Sequence, residues 1–394
     1  MKTSPSASRT GPRVQALDGV RALLALWVVL GHLCRLVGAP VPLIGNPAIA
    51  VDLFMVLSGF FIATTFDRLV QQQPWATATR YFLIRRLMRI GPLYLVCLSL
   101  CWWFLEPLGA ARVLAAQTFP VPLAQEAAYL QTPYDSPTWQ WVLLHYSMLF
   151  GVVPSQATAT PLPDWSLSLE FQFYLLFPVL ALGLRRRPLL VCFVAAGLAF
   201  VSPGLLGDYF TPGRFAHFHQ PAALVYKLNV FLLGVMAWRL FARVQAEGPG
   251  PGHVELLAVV MCLVPLGAQA TLGGFGIFYL LARSQGAAAQ WLSHPVMTGL
   301  GRISFTIYLV HQPVLWLVVA ALIDQPWFLA LPPMARYGVA TLCVLPLVIV
   351  ASQMLYVLIE SPGIRLAHRW TRGGPVLKDG EAMLAAGPVA KATG

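Results

Sequence analysis

Apolar runs long enough to cross a lipid bilayer recur along the chain, separated by short polar or Pro/Gly-rich connections. An α-helix needs about 20 apolar residues to cover the hydrocarbon core. Such runs fall at 17–37, 48–66, 90–105, 165–184, 188–206, 221–242, 254–270, 272–284, 303–323 and 336–359. The pattern predicts an all-α polytopic membrane protein of about ten transmembrane helices around a central polar cavity. One further run, 138–154, is short and is expected to dip in without crossing. Residues 67–89 read as a connection and 106–137 as a surface loop. The expected domains are a cytoplasmic tail over 1–15, a membrane domain over 16–360 and a cytoplasmic, largely disordered tail over 361–394.

Composition fixes the same class. The 394 residues are 58% hydrophobic and only 10% charged, against about 25% charge in a soluble domain. The net charge of +11 does not point to nucleic acid, because the bases sit between apolar runs, where they act as topology signals and meet anionic lipid. With both termini inside, only Arg35, Arg112, Arg214, Lys227 and Arg336 face outward, and the cell's cytoplasmic (inner) membrane is the expected location. Cys34, Cys97, Cys101, Cys192, Cys262 and Cys343 lie in or beside apolar runs and read as small hydrophobic side chains. The first run is too long for a signal peptide and further spans follow it. No haem, flavin or metal motif appears, so neither a bound cofactor nor a metal is expected.

Ionisable residues inside spans are costly and usually functional. Arg21 and His32 are eleven positions apart in the first span, so they share one helix face about 16 Å apart in rise. In the predicted topology His32, Asp52 and Glu170 lie in the outer third of the membrane, and Arg21, Arg85, Arg86 and Arg89 form an inner layer. Three spans carry polar stripes at helical spacing: Ser166, Glu170 and Tyr174; Ser304, Tyr308 and His311; Gln353, Tyr356 and Glu360. Asp164 reads as the N-cap of the helix that begins at Trp165. One stripe alone is more often helix-to-helix hydrogen bonding. Several stripes with two intramembrane histidines point to a shared interior cavity.

The motifs that carry these residues, in order, are Arg21 and His32 in the first span, VDLFMVLSGFF with Ser58, YFLIRRLMRIGPLY, DWSLSLEFQFYLLFP, ISFTIYLVHQP and IESP. Together they resemble the acyltransferase-3 family of integral membrane O-acyltransferases over nearly the whole membrane region. The resemblance implies that Arg21 and His32 are the signature pair with His32 catalytic. It also implies that Arg85, Arg86 and Arg89 serve an acyl-CoA donor, and that Trp165, Ser166 and Glu170 lie by the active site. No appended extracytoplasmic esterase-like domain is expected, so acceptor handling would fall to the helices and their loops.

The chemistry fits the two layers. Phosphates of a coenzyme A donor need fixed cations, and arginine offers a planar fork. Hydroxyl attack on a thioester needs a base near neutral pKa, for which imidazole is suited. His32 is therefore expected to deprotonate the acceptor, oriented by Glu170, or to carry a transient acyl group. Asp52, Ser58, Trp165, Ser166, Tyr174, Ser304, Tyr308, His311 and Glu360 are expected to support the cavity. The expected co-substrate is acyl-CoA, with acetyl the first choice, and the expected acceptor is a glycan or lipid-linked carbohydrate of the cell envelope. A macrolide or other secondary metabolite is the alternative acceptor. A proton-coupled transporter would use similar residues, but no paired halves with broken helices stand at matching positions. A non-enzymatic membrane assembly protein would not require Arg21 and His32 on one face.

Overall fold

In the computed structural model, residues 12–120, 130–132, 134–208, 211–247, 252–267, 270–274, 276–277 and 286–371 are described. The apolar runs fold as α1 (Pro12–Leu36), α2 (Pro47–Gln72), α3 (Trp75–Trp103), α4 (Leu105–Thr118), α5 (Trp139–Tyr146), α6 (Trp165–Arg186), α7 (Pro188–Leu206) and α8 (Leu228–Glu247). They continue as α9 (His253–Leu263), α10 (Ala287–Leu292), α11 (Pro295–Arg302), α12 (Ser304–Ile323), α13 (Pro326–Leu329), α14 (Pro333–Leu355) and α15 (Ser361–Trp370). Among the described residues, seven helices are long and apolar enough to cross a bilayer, or eight if α3 and α4, bent by 77°, count as one broken span. The protein is an all-α, multi-pass membrane protein. Of the ten expected spans, 254–270 shows the short α9 among its described residues, and 272–284 falls largely outside them.

Three other expectations change. The 67–89 connection shrinks to Gln73 and Pro74, so Arg80, Arg85, Arg86 and Arg89 stand on α3 itself. The supposed loop 106–137 opens with α4, whose Ala- and Leu-rich sequence favours helix and whose proline sits in the first turn. Arg112 on α4 is 2% exposed, with its guanidinium 3.7 Å from the Tyr134 ring centroid. The run 138–154 gives the eight-residue α5 and two 3-10 turns. At about 12 Å of rise, α5 is too short to cross. His145 of α5 stacks between Trp141 at 4.2 Å and Phe150 at 4.5 Å. Finally, the supposed tail begins with helix α15, which packs on α3; residues 372–394 lie outside the described part.

The bundle is organised around α1, which touches α2, α10, α11, α12 and α14 and buries Ala22, Ala25, Val28, Val29 and Leu33 completely. Helices α2 and α8 meet backbone to backbone. A Cβ on Gly59 would run into the Phe231 carbonyl, and one on Gly234 into the Val56 carbonyl, the small-residue contact that substitutes for a hydrophobic driving force in lipid. Phe66 of α2 meets Phe82 of α3 and Phe177 of α6 edge-on, each at 5.4 Å between centroids. That cluster fixes the three helices that bring Ser58, Arg86 and Glu170 together.

Between α14 and α15 the chain makes a π-turn over Tyr356–Glu360. Pro362, two residues on, has no N–H to give to an α-helical ladder, and its ring would crowd the carbonyl four residues earlier; the wider turn relieves both problems. It also turns Glu360 inward, 1% exposed, while Leu358 is 66% exposed.

Candidate active site

A cavity of about 190 Å³ lies among α1, α2, α3, α6, α8, α12 and α15. Its lining holds four guanidinium groups, those of Arg21, Arg85, Arg86 and Arg89, and two carboxylates, Asp18 and Glu170. The enclosure is net positive and suits an anionic part of a ligand. Arg21, Arg85 and Arg86 are each positioned by the fold. Arg21 lies 3.7 Å from Asp18 one turn earlier on α1. Arg86 donates to Thr65 Oγ1 at 3.1 Å and to the Phe61 carbonyl at 3.3 Å, with its guanidinium 5.7 Å from the Tyr174 ring centroid. Arg85 Nε donates to Thr371 Oγ1 at 2.9 Å.

Glu170 sits with these cations. It accepts from Tyr174 Oη at 2.5 Å and from Ser58 Oγ at 3.0 Å, and lies within electrostatic reach of both Arg21 and Arg86. The expectation that Glu170 orients His32 is therefore corrected. Equal depth in the membrane does not place two side chains on facing sides of their helices.

Ser166 and Tyr308 line the cavity, whereas His32 and His311 are outside its lining and adjoin it through Tyr308. Tyr308 Oη donates to the Pro163 carbonyl at 2.8 Å, so it must accept from Ser166 Oγ at 2.6 Å. One turn further along α12, His311 Nδ1 lies 2.6 Å from the Tyr308 carbonyl. A carbonyl only accepts, so this nitrogen carries the hydrogen. Nε2 of a neutral His311 is then an acceptor, and it lies 3.1 Å from His32 Nδ1, which also faces the Val28 carbonyl at 3.0 Å. Two acceptors at His32 Nδ1 require N–H there, and this assigns the lone pair of His32 to Nε2. The arrangement can hold an imidazole in its base form with one nitrogen fixed by the protein.

The remaining expected residues divide into three groups. Ser58, Ser166, Ser304 and Tyr308 line the cavity. Tyr174, His311 and Glu360 stand behind it, and Glu360 accepts from Thr306 at 2.7 Å. Asp52 and Trp165 are not in the lining. Asp52 pairs with Lys227 at 2.8 Å, tying α2 to the segment before α8, and Trp165 packs on the hydrophobic core. Asp164 makes no side-chain cap bond; it accepts instead from Thr160 Oγ1 at 2.9 Å and Tyr94 Oη at 3.2 Å. Sequence reasoning missed Asp18 and His368. Asp18 was legible as an i,i+3 partner of Arg21, whereas His368 lay beyond the assumed end of the folded region.

A family model described as an acyltransferase domain, that of acyltransferase-3, matches residues 14–353. Among similar proteins, "Putative membrane-bound transacylase BcsY" of Komagataeibacter xylinus is 28% identical, covering 91% of this chain and 84% of that protein. "Acyltransferase MdmB" of Streptomyces mycarofaciens is 25% identical, covering 91% and 93% respectively. "Putative O-acetyltransferase SACOL0978" of Staphylococcus aureus (strain COL) is 22% identical over 79% of this chain, which spans only 52% of that protein. No solved structure matches. The match takes in Arg21, His32, the α3 arginines, Ser166, Glu170, Tyr308 and His311, and the chain is accordingly a membrane acyltransferase of the acyltransferase-3 family.

Proposed function

We propose that this acyltransferase moves an acyl group, acetyl in the first instance, from cytosolic acyl-CoA to a hydroxyl of a cell-envelope or exported carbohydrate. The single observation that carries the reading is the line from the four cavity arginines, past Ser166 and Tyr308, to His311 and His32. The positive-inside rule turns the arginine end of that line toward the cytosol, in the inner membrane with both termini cytoplasmic. Arg21, Arg85, Arg86 and Arg89 hold the donor phosphates, and Glu170 balances their charge. Arg21 and His32 are about 16 Å apart along α1, a distance that the extended thioester arm of the donor covers.

At the far end, His32 Nε2 takes the proton of the acceptor hydroxyl as its oxygen attacks the thioester carbonyl. The tetrahedral intermediate collapses by breaking the C–S bond. The departing thiolate takes the proton back from His32, so the histidine returns to its starting form.

The test is mass spectrometry of surface glycans from cells with and without the gene, paired with release of CoA from acetyl-CoA by purified protein in proteoliposomes. Loss of an acyl-sized mass on gene deletion, together with acceptor-dependent CoA release, is the expected result. Unchanged glycans and no acceptor-dependent release would refute the reading.

A further inference from the structure

The acyltransferase-domain match ends at residue 353, but the cavity wall continues past it. Helix α15 contributes Ile364 and His368 to the same lining as the four arginines. Two contacts hold the helix there. Thr371, just past its end, accepts from Arg85 Nε at 2.9 Å through its hydroxyl and passes its own hydrogen to the Ala367 carbonyl, also at 2.9 Å. At Gly363 a Cβ would come within 2.6 Å of the Met88 carbonyl, so only glycine allows this close an approach to α3. Met88 lies between Arg85 and Arg89 in the sequence, so α15 crosses α3 at the level of the arginine cluster.

The helix has two faces. Gly363, Ile364, Ala367 and Thr371 are buried, while Arg365, Arg369 and Trp370 are exposed. His368 is half-buried at the border between them and reaches the cavity. A ring N–H at that place adds a neutral, directional donor to a group of point charges, and phosphate oxygens accept several hydrogen bonds at once.

We propose that His368 is a donor-binding residue, its ring N–H donating to a phosphate oxygen of the acyl donor beside the α3 arginines. The helix that follows the last span is on this view part of the donor site. The inference rests on the acyl-CoA reading given above. It assigns a ligand contact to a segment outside the family match, and it gives the Arg85–Thr371 bond a purpose: the bond keeps His368 at the cavity.

The experiment uses the full chain in lipid nanodiscs, with CoA binding measured by calorimetry and acetyl-CoA turnover followed in parallel. His368→Leu fills similar space without a hydrogen-bond donor. It is expected to raise the CoA dissociation constant and the donor KM about tenfold, as for loss of one hydrogen bond to a charged group, with kcat and acceptor KM held. His368→Gln keeps an N–H and should bind CoA close to wild type. If His368→Leu binds CoA as wild type does while Arg86→Ala weakens binding, this inference is overturned and the acyl-CoA reading stands. Equal losses in the Leu and Gln variants, with a lowered unfolding temperature, would mark a packing role and also overturn it. Wild-type protein that binds no CoA would remove both.

Discussion

His311 Nε2 lies 3.1 Å from His32 Nδ1, so the imidazole of α1 is held by an imidazole of α12 rather than by a carboxylate. A carboxylate partner would stabilise a charged His32. A neutral imidazole only selects the tautomer. His32→Ala should abolish turnover, a loss of about 100-fold or more for a general base. His311→Phe, which keeps a ring but no acceptor, should lower kcat about tenfold or more through a misplaced His32 ring, with little effect on donor KM. His311→Gln can present its carbonyl oxygen to His32 and should recover part of the rate. Steady-state kinetics on folded, monodisperse protein decide it, and full activity in His32→Ala would sink the assignment.

Arg86 and Arg89 should act on binding rather than on chemistry. Replacing either with alanine is expected to raise donor KM about tenfold with kcat changed little, as for loss of a charge-assisted hydrogen bond. Arg86 also joins α3 to α2 through Thr65 and Phe61. Its variant should therefore also unfold at lower temperature than wild type, which a melting curve in detergent reads directly.

Ser166 and Tyr308 form one hydrogen-bonded unit with the Pro163 carbonyl. Tyr308→Phe breaks both bonds and leaves a buried carbonyl without its donor, whereas Ser166→Ala breaks one. Losses of about 2 kcal/mol and about 1 kcal/mol are expected, with the double variant close to Tyr308→Phe alone. Additive losses in a double-mutant cycle would show that the two hydroxyls act independently.

Gly59→Leu should separate α2 from α8, because the side chain would have to occupy the space of the Phe231 carbonyl. Overpacking of this kind costs about 3 kcal/mol or more where backbone is the obstacle. Loss of monodisperse protein on size exclusion is the expected readout; a variant with wild-type stability would contradict the close approach.

Burial pushes the carboxyl of Asp164 up to about 7, against the opposing pull of donors Thr160 and Tyr94. The folded protein then keeps a proton that the unfolded chain gives up near the ordinary carboxyl value of 3.8. Stability is fully present below that value, falls as pH rises toward about 7 and levels off above it. The unfolding temperature should follow that course, and Asp164→Asn should flatten it; an unchanged slope in the variant would rule out Asp164 as the source.

Much of the site was legible because its spacing is intrahelical. The eleven-residue interval placed Arg21 and His32 on one face, and the i,i+4 stripe became the Tyr174–Glu170 bond. What failed was tertiary. Which residue meets His32 depends on how α12 is rotated against α1, and no single-helix pattern encodes that. Asp52 looked like a cavity acid because Lys227, its partner, is remote in sequence. The charges of α15 read as a basic tail because Arg365 and Arg369 dominate the composition, while the buried face needs only Gly363, Ile364, Ala367 and Thr371.

The π-turn at Tyr356–Glu360 makes the winding of this stretch a structural constraint. Forcing ordinary α geometry on the same five residues would rotate everything downstream by about 100°. Glu360 would swing toward lipid, and the flat side of α15 would leave α3, taking His368 with it. Two distant parts of the molecule, the acid behind Arg21 and the last wall of the cavity, are thus kept in phase by one wide turn.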